Sequence, residues 1–237
     1  MSTYLQLFQK TVRNCGIKNV VPTAVTGQTG DLLQIVSWIT DAWTELQNSR
    51  EDWRWMRKKF TLVTSSGDDT YAFSDCTDVD DAAAISRFNS WRLSDVRNPP
   101  KMYLTSDGVA GETILTYTAW DNFEYLYKTG SLQSQTSRPV HISVDPANNI
   151  RLGITPDDSY TITGTYQRSE QVLSANADTP EMPGSYHDLI MYQVMEWYGL
   201  EQTAPEVLVR AERGMRRLRR QLSKNQLEKL RITGSMA

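Results

Sequence analysis

Apolar positions repeat with a helical period near both ends of the chain and with a period of two in its middle. That division predicts the architecture. Near the start, Leu5, Phe8, Val12 and Cys15 recur three and four residues apart, and Gly16 supplies a stop. Gly16 to Gly30, with Pro22, Gly27 and several threonines, reads as a loop. A second helix is predicted with Asp31 as N-cap and Gln34 completing the box three residues on. Leu32, Ile35, Val36, Ile39, Ala42, Trp43 and Leu46 form its core face.

The pattern changes at Trp53-Arg54-Trp55-Met56-Arg57-Lys58-Lys59-Phe60, after which Thr- and Tyr-rich runs alternate between apolar and polar. Phe60 to Thr64 and Ile114 to Trp120 are predicted strands. Val140 to Tyr166 reads as a three-strand meander. Val140, Ile142 and Val144 alternate, the chain turns at Asp145–Asn149, and Ile150, Leu152 and Ile154 alternate back. A second turn at Pro156–Ser159 leads into Tyr160, Ile162, Gly164 and Tyr166. The edges of such a meander are expected to be open for pairing with a neighbouring chain.

Helical spacing returns after Pro183. Ser185 is the expected N-cap and Asp188 its box partner; Tyr186, Leu189, Ile190, Val194 and Trp197 form the apolar face, and Gly199 is the expected stop. Pro205 opens the last helix at a position that needs no N–H. That helix is expected to run for about 26 residues, or roughly 39 Å. Its stripe of Leu208, Ala211, Met215, Leu218 and Leu222 alternates steps of three and four, so one narrow face must pack against something. Arg216, Arg217, Arg219 and Arg220 fall off that seam, and Gly214 weakens the interior. The fold class is therefore α+β: a helical layer built from residues 1–59 and 171–231, an inserted antiparallel β domain over 60–170, and a C-terminal tail at 232–237.

Charge sharpens the picture at the C-terminal end. From Val207 to Arg231 nine Lys or Arg face two acids, Glu212 and Glu228, a local charge of +7; with the whole chain at −3, the residues before Val207 carry −10. Nucleic-acid binding and docking on an acidic protein surface both use such a helix. The acidic body opposes the first. The second also gives the apolar stripe a role and is favoured. Elsewhere composition is that of an ordinary globular protein, with 39% apolar and 22% charged residues, but seven Trp and eleven Tyr favour large buried or interfacial contacts. Cys15 and Cys76 have no metal or redox spacing and read as free thiols in a reducing compartment. Met-Ser-Thr-Tyr-Leu at the start lacks the regions of a secretory signal, and no apolar run approaches the roughly 18 residues of a membrane span. Synthesis in the cytosol is expected.

Catalytic signals are thin. His141 is expected on the outer face of a strand and His187 exposed or capping in a helix's first turn. No Ser or Cys sits in a nucleophile elbow, and Gly27-Gln28-Thr29-Gly30 lacks the Lys-Ser/Thr pair of a phosphate loop. Asp68, Asp69, Asp75, Asp78, Asp80 and Asp81 lack the register of a calcium loop and are expected to be solvated acids. Trp91 and Trp120, with these acids, leave a carbohydrate-binding or hydrolysing component open as an alternative, beside the DNA-binding module. Trp53-Arg54-Trp55 has the composition of an interface anchor. No cofactor or metal is expected.

Taken in order, several segments resemble the head–tail adaptor (connector) proteins of phage virions. They are Trp53 to Phe60 leading into Tyr71, Arg138-Pro139-Val140, Ile150 to Asp157, Tyr160 to Tyr166, Asp178 to Pro183 with Tyr186-His187, and Ala204-Pro205-Glu206-Val207 opening the Arg-rich helix. The resemblance spans about Tyr4 to Arg231. It implies a non-enzymatic protein of the virion neck, assembled in the host cytoplasm into a homo-oligomeric, dodecameric ring. Such a ring would bind the portal protein on one side and a distal neck or tail protein on the other, extending the channel through which genomic DNA passes without specific binding. By position, the portal-facing group would be Arg216, Arg219, Arg220, Leu222, Lys224, Leu227, Leu230 and Arg231, with Trp53, Arg54 and Trp55 at the subunit interface. The resemblance also implies that Ile232 to Ala237 become an ordered arm on docking.

Overall fold

The computed structural model describes residues 1–17 and 21–227. The chain divides into two compact units: Met1–Met56 with the segment from Glu170 onward, and Arg57–Ser169. The first is helical. Helix α1 (Tyr4–Asn14) opens with a capping box in which Thr3 and Gln6 bond each other's backbone, and Gly16 ends it at φ +80°. Helix α2 spans Gly30–Asn48. Its N-cap is Thr29 and Asp31 lies inside the first turn; no side chain caps it. The expected Asp31–Gln34 box is not formed, because Gln34 instead donates to the Glu201 carboxylate at 2.7 and 2.9 Å.

Between the helical segments the β unit runs through β1 (Arg57–Val63), β2 (Thr70–Tyr71), β3 (Thr77–Asp78), β4 (Ala83–Ala84), β5 (Ser90–Trp91), β6 (Lys101–Leu104), β7 (Thr113–Ile114) and β8 (Thr116–Tyr117). Helix α3 (Trp120–Tyr127) follows, then β9 (His141–Val144), β10 (Ile150–Gly153) and β11 (Tyr160–Gln167). One sheet has the order β4-β3-β1-β11-β6-β7, with β5 also on β11; the other has the order β2-β10-β9-β8. The ladders are antiparallel except β8 with β9, which is parallel. The two sheets share one core containing Phe60, Met102, Ile142, Ile150, Ile162 and Tyr166.

Three sequence expectations fail here. The meander is two-stranded: β9 and β10 form a hairpin, but β11 leaves it and pairs with β1 in register Arg57↔Gln167 to Val63↔Thr161. Nor are its edges open, since β2 covers β10, β8 covers β9, and β11 lies between β1 and the β5/β6 side. The predicted strand at 114–120 is two short strands followed by α3, whose Trp120, Phe123 and Tyr127 recur at helical spacing. Phe123 is fully buried.

The chain returns to helix at α4 (Asp188–Glu201) and α5 (Pro205–Gln226). Ser185 lies in a 3-10 turn, Gly184–Tyr186, ahead of α4 and caps nothing; Asp188 is ion-paired with Lys10 at 2.9 Å. The loop before α4 is pinned by reciprocal bonds, Gln171 N–H to Gln47 Oε1 (2.7 Å) and Gln47 Nε2 to Gln171 O (3.1 Å). α4 packs on α1, α2 and α5, and its Leu189, Ile190 and Val194 join Phe8, Ile39, Trp43 and Leu222 in the core.

Candidate docking surface

The last helix has two chemically different faces because its buried apolar residues keep one register while its cations, interspersed with Glu206, Glu212 and a few neutral residues, lie on the other side. Pro205 starts it, and its 22 residues extend about 33 Å. Ala211, Met215, Leu218 and Leu222 are buried, and Leu208 is half-buried. Met215, Leu218 and Leu222 enter the same core as Phe8 and Trp43, and Ala211 packs with Cys15, Met191 and Met195. The expectation that this stripe serves a foreign surface is corrected: it seals the chain's own helical unit.

Two glycines set how closely the helices approach. Gly199 does not stop α4, which continues to Glu201; a Cβ there would lie 3.1 Å from the Leu208 backbone nitrogen. At Gly214 a Cβ would meet the Tyr192 ring at 2.5 Å. The residue that weakens α5 in isolation is therefore the seat of an α4 aromatic side chain.

The other face is cationic and open. Arg210, Arg213, Arg216, Arg217, Arg219, Arg220 and Lys224 are all exposed. Among the described residues none of them forms an ion pair; Arg219 Nη2 donates to Gln193 Oε1 at 3.2 Å. Arg50, just past the end of α2, joins Arg219 and Arg220 around a notch edged by Ser49 and Ser223, with Leu46, Trp53 and Leu222 as its floor. Sequence reasoning missed Arg50 because nothing local links it to a helix 169 positions later.

The portal-facing group expected from sequence therefore separates. Arg216, Arg219, Arg220 and Lys224 stand in solvent, Leu222 is fully buried, and Leu227 packs half-buried against the core. Leu230 and Arg231 lie outside the described residues, as does the 232–237 tail. Of the expected interface anchor, Trp53 is core, 2% exposed, with Nε1 donating to Leu46 O at 3.1 Å. Trp55 stacks on it at 4.3 Å and is half-buried, with no acceptor for its Nε1 among the described residues. Arg54 is exposed.

Most of the acids and tryptophans of the carbohydrate alternative are engaged within the β unit. Asp69 receives Lys128 at 2.5 Å, Asp80 receives Lys58 at 2.8 Å and Asp81 receives Arg168 at 2.9 Å. Asp78 is buried and accepts the Tyr166 hydroxyl, and Asp75 closes a backbone turn onto Ala72. No group of three or more potential metal ligands occurs among the described residues. Burial pushes the pKa of Asp69 and Asp78 upward, but hydrogen bonds and nearby cations outweigh it and hold both below the usual carboxylate value. Trp91 has given its Nε1 to Asn148 O (2.8 Å) and is edged by Phe60, Phe88 and Tyr166; Trp120 stacks on Phe123 at 5.8 Å.

Both histidines are engaged. His141 meets the Tyr127 hydroxyl. His187, expected to be exposed or capping, stands at the N-cap position of α4 but is buried, 1% exposed, and its side chain caps nothing: Ser2 N–H reaches its Nδ1 at 3.0 Å, and Nε2 lies 3.0 Å from Met182 O. With the proton on Nε2 the ring satisfies both, tying the N-terminus to the start of α4. Cys15 and Cys76 are free and buried, one in each unit, and burial pushes both thiols up to about 12.

The sequence has no match among curated proteins. The profile of the SU10 adaptor protein family, by contrast, matches residues 2–233 and so takes in every element of both units, from the capping box of α1 to the cationic face of α5. Over that span the chain belongs to the SU10 adaptor protein family and is a phage adaptor, a structural protein.

Proposed function

We propose that this adaptor is the subunit of a dodecameric ring in the virion neck, that it joins the portal protein to a distal neck or tail protein, and that it performs no reaction. The observation that carries the portal contact is the cationic face of α5. Seven side chains of one sign stand in solvent without ion-pair partners among the described residues, on a helix whose other face is already packed. A surface like this attracts an acidic partner, and its attraction weakens as salt screens it. Arg216, Arg219, Arg220 and Lys224 are the portal-facing residues in this proposal, and Arg50 is added to them. The residues before Val207, at −10, would supply an acidic channel wall along which DNA phosphates slide without sticking.

Substitution at the exposed face tests this better than truncation, because deleting from residue 221 would also remove Leu222 from the core. Arg216→Glu with Arg220→Glu is expected to weaken co-sedimentation of the full chain with portal at least tenfold while leaving its melting temperature in place. Undiminished co-sedimentation would remove the portal contact from this helix.

A further inference from the structure

Helices α2 and α4 meet along a seam of three rungs. Gln34 Nε2 donates to the Glu201 carboxylate at 2.7 Å. Trp38 and Trp197 meet edge to face with ring centroids 6.3 Å apart. Gln193 Nε2 donates to Glu45 Oε2 at 2.6 Å. The outer side of this seam is unusual. Trp38 and Trp197 are both half-buried against the helical core, each keeping part of its ring in solvent, and Leu200, one turn beyond Trp197, is 62% exposed. Charges on the two helices beside these apolar groups are all acidic: Asp31, Asp41, Glu45, Glu196 and Glu201. Among the described residues the seam meets a cation at its Gln193 end, where Arg219 of α5 reaches the amide oxygen.

We infer that this tryptophan seam is the surface on which a second copy of the chain docks, and that the part of the second copy that fills it is the outer ridge of its α5, Arg210, Arg213 and Arg217. Partly exposed Trp side chains beside an exposed Leu, rimmed by charge, have the composition of an interface centre and its border. The ridge residues lie three and four apart, so they share one side of the helix, opposite the buried Ala211, Met215, Leu218 and Leu222. They carry the sign that the seam lacks, long aliphatic stems that can lie on indole rings, and guanidinium groups that stack on them. They are also the α5 arginines that the proposed portal contact leaves unused.

One surface is acidic and aromatic and the other basic, and each copy has both. The contact is therefore heterologous, repeats from copy to copy, and closes when the rotation permits. The inference rests on the ring proposed above and supplies the two faces which that ring needs.

The test is a charge-swap cycle in the full-length chain, with oligomer mass measured alone and on purified portal. Asp41→Lys with Glu196→Lys, and separately Arg213→Glu with Arg217→Glu, should each raise the apparent dissociation constant for assembly at least tenfold. Combining all four substitutions should recover most of that loss, because the charges again oppose. Asp41, Arg213 and Arg217 are exposed, Glu196 is half-buried and none belongs to the core, so circular dichroism should show every variant folded. Rings that form normally with either reversal, or losses that add instead of cancelling, would overturn the inference while leaving the ring intact. A wild-type chain that never assembles, even on portal, would overturn the ring and this contact together.

Discussion

At the scale of single residues, several side chains turn out to do structural work that their sequence context hides. Gly164 is the clearest. It sits in β11 with ordinary backbone geometry, yet a Cβ there would lie 2.7 Å from a ring carbon of Phe60, which is fully buried and braced by Trp91. Gly164→Ala should therefore cost about 1–3 kcal/mol through overpacking, read as a lower urea midpoint. An unchanged midpoint would mean that Phe60 has room to move. His187 teaches a related lesson. An isolated His at a helix start reads as exposed or capping, and only the fold brings Ser2, 185 positions away, onto its ring. Trp53 likewise looks like an anchor for a partner when met beside Arg54 and Trp55, but its N–H is taken by Leu46 seven residues earlier.

At the scale of elements, the helices with regular apolar spacing were legible. α1, α2, α4 and α5 all follow from their three-and-four patterns, and the turn at 145–149 from its Asp and Asn content. Asp145 staples that turn by accepting from the Ala147 and Asn149 amides at 2.9 Å. Two things were not legible. α3 is rich in aromatic side chains that favour strands, and that local preference masked the helical spacing of Trp120, Phe123 and Tyr127. The sheet assignment of β11 depends on β1, about a hundred residues away, and no local turn signal reports it.

The two faces of α5 can be separated by substitution. Leu222→Ala should destabilise the chain by about 2–5 kcal/mol, whereas Arg217→Ala should change its stability by less than about 0.5 kcal/mol. Comparable losses from the two would mean that the cationic face is packed as well.

At the scale of the whole molecule, pH offers a test of how the charges are deployed. Asp69, Asp78 and Asp145 in the β unit, and Asp178 in the helical unit, are all held below the ordinary carboxylate value of 3.8. In the first three burial acts upward and is outweighed, by Lys128, Thr70 and Arg151 at Asp69, by Tyr166 and turn amides at Asp78, and by Asn149 and Arg151 at Asp145. At Asp178 the amides of Ala175 and Ser174 dominate. A depressed native pKa stabilises the fold above the unfolded value, and that contribution is lost as pH falls through the native one. Stability should therefore hold level down to about pH 4 and decline below it, as followed by urea midpoints across pH. Stability that stays level down to pH 2 would contradict this distribution of charge.

The pairing of Arg57 with Gln167 has one further consequence. The β segment enters and leaves its own sheet on adjacent strands, whose Cα atoms lie only about 5 Å apart. The two ends of the β segment therefore lie one rung apart, however many residues are strung between them. Residues can be added to or removed from the loops inside this segment without parting its two ends.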